Sequence, residues 1–182
     1  SGNGVNVTQA TASSQPKLVS SGVVELENGL PCIVFDGNSD YLEEIVSFSQ
    51  PFTLFSVRKY NGTNNQIGIS LNNSVTSFAD SVVAAEFKSY YGNYISAGAS
   101  NTSQGLWYSL GNGVSSSVSL DDAAETTGNA GTSGVNIVTI GRRASGGLYS
   151  NFKKQEIILY SSDESSNKSG ILENINSFYS IY

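Results

Sequence analysis

The stretch FDGNSDYLEE, residues 35–44, sets four carboxylates, Asp36, Asp40, Glu43 and Glu44, around one aromatic, Tyr41. Acids this dense suit a metal site, a pair of catalytic acids, or a turn between two strands. The flanking residues favour the turn. PCIVF before it is a short apolar run, Asp-Gly-Asn is turn chemistry, and Tyr-Leu re-enters an extended segment. The reading is a strand ending at Phe35 and an Asx-type turn on Asp36, Gly37 and Asn38 that Asp40 closes. The chain then re-enters a strand at Tyr41 and Leu42, with Glu43 and Glu44 solvated at its rim.

The same grammar repeats along the chain. Segments 23–27, 32–35, 52–60, 66–71, 82–88, 106–110, 114–120, 136–141 and 152–160 are rich in Val, Ile, Phe and Tyr. They are bounded by Asn, Gly, Ser and Pro. Asn28-Gly29 predicts a tight hairpin, because Asn-Gly accepts positive φ at low cost, and Gly111-Asn112-Gly113 predicts another. Segments 96–104 and 121–134 offer little to bury and read as loops. Many short strands without alternating helices predict an antiparallel sandwich or barrel. The end differs. Ile171, Ile175, Phe178 and Tyr182 fall at helical spacing, so a short C-terminal helix is expected to lay that stripe on the sheets. Ser165 or Ser166 is its expected cap, with Asp163 and Glu164 near the positive end of its dipole.

Composition narrows the function classes. The chain has 182 residues, 38% of them hydrophobic and 13% charged, enough for a single domain with a real core. Its net charge of −6 leaves no basic stripe to meet nucleic-acid phosphates or an anionic membrane surface. No apolar run approaches the roughly 18–20 residues of a transmembrane helix. The chain starts at Ser1 and contains no Met, so a fragment of a longer polypeptide is expected. The single cysteine, Cys32, lies in an apolar run and reads as a small buried hydrophobe. Histidine is absent, which removes the usual base of a serine or cysteine nucleophile.

Several segments, taken in order, resemble the concanavalin A-like, laminin-G-like jelly-roll modules found in bacteriophage virion proteins and in large secreted microbial proteins. They are the opening SGNGVNVTQATASSQPKLV, then GLPCIVFDGNSDYLE, PFTLFSV, TGNAGTSGVNIVTIGRR, and FKKQEIILY with the helix after it. The resemblance implies an all-β, two-sheet antiparallel jelly-roll sandwich spanning residues 1–182 as one domain. Such modules bind glycans, bind proteins, carry enzymes or only build structure, so fold leaves the function open.

Laminarinase-like jelly rolls carry their acids on one strand as E-x-D-x-x-E, and that string does not occur here. The nearest cluster, Asp121, Asp122 and Glu125, lies in a Gly/Thr-rich stretch, a poor platform for two acids at fixed spacing. Calcium takes hard oxygen ligands, and laminin-G-like modules often hold it at the sandwich rim. Asp36, Asp40, Asp121 and Asp122 are its candidates here, against a plain turn role for the first two. Arg142-Arg143 reads as an ion pair or edge decoration, with a binding role as the alternative. A lectin-type site needs an aromatic plate with polar neighbours, and Tyr90, Tyr91, Asn93, Tyr94 and Trp107 supply one. The leading expectation is therefore a non-enzymatic virion or extracellular module. Its expected partner is a host-surface glycan or a neighbouring virion subunit, with homo-oligomerisation open. The alternatives are a purely architectural protein-protein or oligomerisation domain, and a polysaccharide-degrading glycoside hydrolase.

Overall fold

The computed structural model describes residues 5–73 and 77–182; SGNG at residues 1–4, part of the resemblance, lies outside them. Sixteen strands appear among the described residues. The first six are β1 (Val19–Ser20), β2 (Val23–Val24), β3 (Leu26–Glu27), β4 (Leu30–Pro31), β5 (Ile33–Asp36) and β6 (Leu42–Glu44). Next come β7 (Phe52–Tyr60), β8 (Gln66–Asn72), β9 (Ser77–Val83), β10 (Glu86–Tyr90) and β11 (Tyr94–Ala99). The last five are β12 (Gly105–Gly111), β13 (Ser116–Leu120), β14 (Thr126–Gly128), β15 (Val138–Ile140) and β16 (Asn151–Tyr160), and helix α1 (Lys168–Tyr179) closes the chain.

Two antiparallel sheets of six strands form the sandwich, ordered β11-β10-β9-β8-β15-β6 and β14-β13-β12-β7-β16-β5; β1-β2 and β3-β4 are small separate hairpins. This is the expected jelly-roll architecture. The main core lies between the sheets and includes Phe35, Leu54, Ile69, Tyr91, Trp107 and Phe152. A second core lies on the other face of the second sheet, where Phe55, Val57, Leu106, Tyr108 and Leu110 meet Leu172 and Ile175 of α1.

That double coverage explains β7, whose nine residues are buried at all but one position. Alternation sends Leu54 and Tyr60 toward the facing sheet and Phe55 and Val57 toward the helix, so each side of the strand finds an apolar partner. β16 does the same with a twist of register. A bulge between Lys154 and Glu156 shifts its parity, so Phe152 faces the main core before it and Ile157 and Leu159 face it afterwards.

The helix stands where the sequence put it but is rotated. Leu172 and Ile175 are buried, with Ile171 and Tyr179 packed beside them, whereas Phe178 is 65% and Tyr182 51% exposed. Neither Ser165 nor Ser166 caps it, because a 3-10 turn at Ser165–Asn167 leads in and Asn167 takes the cap position without a side-chain bond. Tyr182 is still tied to the fold, since its N–H donates to Asn176 Oδ1 and its carbonyl accepts from Asn176 Nδ2. Leu172→Ala is expected to cost about 2 kcal/mol, the low end for a buried leucine at a site that can partly close. Urea denaturation checks it, and an unchanged midpoint would remove the helix from the folding unit.

Three segments differ from expectation, among them 121–134, read as a loop, which carries β14. Segment 82–88 is not one strand: Ala84 and Ala85 take φ of 53° and 60° and turn the chain from β9 into β10. Segment 96–104 begins inside β11, whose small residues pair with β10 along one edge. The Asn28-Gly29 turn is as expected, with φ of 49° and 80°.

Candidate functional site

The 35–44 stretch resolves first. Asp36 Oδ1 accepts the N–H groups of Asn38, Ser39 and Asp40 at 2.8, 3.0 and 3.3 Å, and Asp40 Oδ2 accepts the Asp36 N–H at 3.1 Å. Burial pushes the Asp36 carboxyl up, but its three backbone donors outweigh that and hold it below the usual carboxylate range. Burial and then the Asp36 charge push Asp40 up. Gly37 fits because its φ is +78°, and a Cβ there would lie 2.9 Å from Asn151 Cβ. These acids build the turn.

Asp121 and Asp122 are successive residues at positive φ after β13, and Asp121 Oδ1 accepts the Leu106 N–H at 2.7 Å. Burial pushes the Asp121 carboxyl up. Among the described residues, no three acids, cysteines or histidines are grouped as metal ligands. The four calcium candidates therefore divide between two turns and do not meet.

The aromatic candidates also divide. Tyr91 and Trp107 are wholly buried between the sheets, so they are corrected from ligand plates to core. The Tyr91 hydroxyl lies 2.6 Å from Ser109 Oγ, and Trp107 Nε1 donates to the Ala79 carbonyl at 2.6 Å. Tyr90, Asn93 and Tyr94 stay at the surface, Tyr94 being 52% exposed.

The first sheet organises the two surface tyrosines. Pairing carries one line of residues across all six of its strands: Glu43, Thr139, Ser70, Phe78, Tyr90 and Tyr94. Their chain neighbours Leu42, Val138, Ile140, Ile69, Leu71, Tyr91 and Ile95 all belong to the core, so alternation turns this line to the opposite face. A second line, Ile67, Ser81, Lys88 and Ser96, runs beside it. The middle is buried, with Ser70 and Thr139 at 0% exposure and Phe78 at 2%, while the β10-β11 end opens. At that end the Tyr90 and Tyr94 rings stand 4.6 Å apart, Phe78 lies 5.9 Å behind Tyr90, and Lys88 Nζ is 5.4 Å from the Tyr94 ring centre. Lys88 also pairs with Glu86 at 2.6 Å, and this pairing, with a bond to Ser96, holds the Glu86 carboxyl below its ordinary range. At the other end Arg142 stacks 3.7 Å over Tyr41 and pairs with Glu43 at 3.0 Å, the expected edge ion pair.

Sequence reasoning overlooked a charge cluster inside the sandwich. Asp80 is buried with Arg58 Nε at 3.4 Å, Lys154 Nζ at 3.0 Å, Ser56 Oγ at 2.9 Å and the Tyr60 hydroxyl at 3.0 Å. All are at most 4% exposed. The signal was parity: Arg58 shares the phase of Leu54 and Tyr60, and Lys154 that of Phe152. Buried this deeply, the cluster meets no ligand.

No family model and no curated protein matches the chain. Solved structures do. Trypanosoma rangeli sialidase with the inhibitor DANA aligns at 15% identity and a TM-score of 0.55, over 76% of this chain and 26% of that one. The same sialidase with sialic acid aligns at 16% identity and a TM-score of 0.54, over 79% of this chain and 28% of that one. The chain thus spans about a quarter of the sialidase it matches. At such identity the likeness shows the fold, a concanavalin-like β-sandwich. The neighbours overturn the expectation of a non-enzymatic virion module. They are glycoside hydrolases, they side with the hydrolase alternative, and nothing in them points to a phage particle.

Proposed function

We propose that this chain is a glycan-engaging sandwich unit of a glycoside hydrolase, and that it meets carbohydrate on the open end of the first sheet's outer face. The observation that carries this reading is the register line ending in Tyr90 and half-exposed Tyr94. Strand pairing holds two rings and the flanking Lys88, Glu86 and Ser96 on one rigid face. An aromatic body offers its plane to the apolar side of a sugar, and polar neighbours fix the hydroxyls. The sialidase neighbours support a carbohydrate role for the fold.

The test is sugar release from a panel of glycosides and polysaccharides. Tyr94→Ala is expected to raise KM about tenfold with kcat held, because stacking binds ground state and transition state alike and one ring is worth about 1 kcal/mol or slightly more. An unchanged KM would remove this face from the substrate path.

A second reading places the acids on the chain itself. Burial pushes Asp121 up. At Glu125 burial acts in the same direction, but bonds to Ser117 and Lys168 outweigh it and hold that carboxyl low. Both stand on the segment between β13 and β14, Asp121 bonded to the Leu106 N–H and Glu125 paired with Lys168. Loss of sugar release in both Asp121→Asn and Glu125→Gln, with folding intact, would support it.

A further inference from the structure

The tyrosine face carries a more specific message about its ligand. We infer that it takes a neutral sugar, presented through its apolar C–H side, and that it discriminates against sialic and uronic acids. This rests on the reading of that face given above and adds the class of glycan.

Selecting an acidic sugar requires a cation that is free to meet a carboxylate. Along the two register lines the only cation is Lys88. Its Nζ is already 2.6 Å from Glu86 Oε2, and its side chain is only 15% exposed. A carboxylate arriving there would have to displace Glu86 or lie beside it, and like charges in contact repel. Glu86 does not leave easily, since Ser96 bonds it as well. The chain as a whole carries −6, so the long-range field also works against an anionic glycan.

The same pair is well suited to hydroxyls. An ammonium has three donors, and Glu86 occupies one; a carboxylate has about four acceptor positions, and Lys88 and Ser96 occupy two. The remaining capacity can serve a sugar's hydroxyls with no net charge presented. Tyr94, half-exposed beside it, supplies the plate. Sugars with several axial-face C–H groups in one plane, of the galactose or glucose kind, fit this better than the sialic acid seen in the fold's neighbours.

The experiment is titration of the isotopically labelled chain with lactose, maltotriose and 3′-sialyllactose, following backbone amide shifts at 50 and 500 mM NaCl. The expected result is saturable shifts at residues 86–96 with the neutral sugars, an affinity that changes less than twofold with salt, and at least tenfold weaker binding of sialyllactose. Tyr94→Phe should keep the neutral binding and Tyr94→Ala should weaken it at least tenfold. Sialyllactose binding more tightly at the same amides, with salt-dependent affinity, would overturn the neutral class while leaving the face as the site. Shifts confined elsewhere, or none with any sugar, would overturn both.

Discussion

Asp80→Asn is expected to destabilise the protein by about 3–5 kcal/mol, a large share of the 5–15 kcal/mol that holds a typical domain together. The cluster contains two cations, Arg58 and Lys154, and one anion. Its single carboxylate joins the sheets, since Asp80 stands on β9 while Ser56, Arg58 and Tyr60 are on β7 and Lys154 is on β16. Three rings also close around Arg58, with its guanidinium carbon 4.3 Å from the Phe87 ring centre and 5.4 and 5.7 Å from those of Tyr60 and Trp107. Removing the anion leaves two buried cations whose nearest remaining carboxylate is Asp121, beyond ion-pair distance of Arg58. Removing Lys154 leaves Arg58 and Asp80 as a one-to-one pair, so Lys154→Met should change stability by no more than about 1 kcal/mol. Equal losses in the two variants would contradict this account.

The pH profile gives the same cluster a second reading. Burial lowers the Lys154 amine from its ordinary 10.5 to about 8, with Asp80 opposing the fall. The unfolded chain therefore holds that proton to a higher pH than the folded one. Below pH 8 folding carries the full penalty, and the penalty fades as pH climbs from about 8 toward 10.5. Asp80 contributes stability where Lys154 carries a penalty, though both make stability rise with pH. Burial pushes Asp80 up, but Lys154 and Arg58 outweigh that and hold it low, so its contribution is present above the ordinary 3.8 and is lost as pH falls through its folded value. Near pH 10 three buried tyrosines intervene. Burial pushes Tyr60 and Tyr91 well up and Tyr108 to about 12, so their ionisation favours the unfolded chain. Denaturant midpoints should rise from pH 8 to about 9.5 and then fall, and Lys154→Met should lack the rise.

Much of this architecture could be read from the residues. Strand β7 matched its prediction to the residue, since a long apolar run bounded by Pro51 and Asn61 leaves little choice. The turn at Asp36 was read correctly because Asx chemistry is local. What failed depended on partners. The Ala84-Ala85 hairpin has none of the Asn or Gly that positive φ normally demands, so nothing local announces it. Strand β11 is built of small residues that pair only because β10 is there. The buried cluster looks like ordinary strand charge until both sheets are present. The class of function failed for a different reason. The resemblance identified a sandwich, and a sandwich carries many functions.

Trp107→Ala should act on stability and leave ligand affinity alone. Trp107 and Tyr108 point to opposite faces of β12, yet both side chains are 0% exposed, because the helix covers the second face. Trp107 fills the sandwich, donates to the Ala79 carbonyl at 2.6 Å and stands 6.3 Å from Phe87. Truncation opens a large cavity, leaves the Ala79 carbonyl with Ser89 Oγ as its remaining side-chain donor and strips one wall from around Arg58. The expected cost is about 3–5 kcal/mol, or roughly 10 °C in Tm for a chain of this size. Tyr94→Ala, at the half-exposed end of the outer face, should stay within about 0.5 kcal/mol of the parent. Thermal unfolding and glycan binding per folded molecule, measured on both variants well below their Tm, separate the roles. Trp107→Ala should bind normally and melt early, and Tyr94→Ala should melt normally and bind poorly. A Trp107→Ala protein that melts with the parent would place this side chain outside the core and reopen it as a ligand plate.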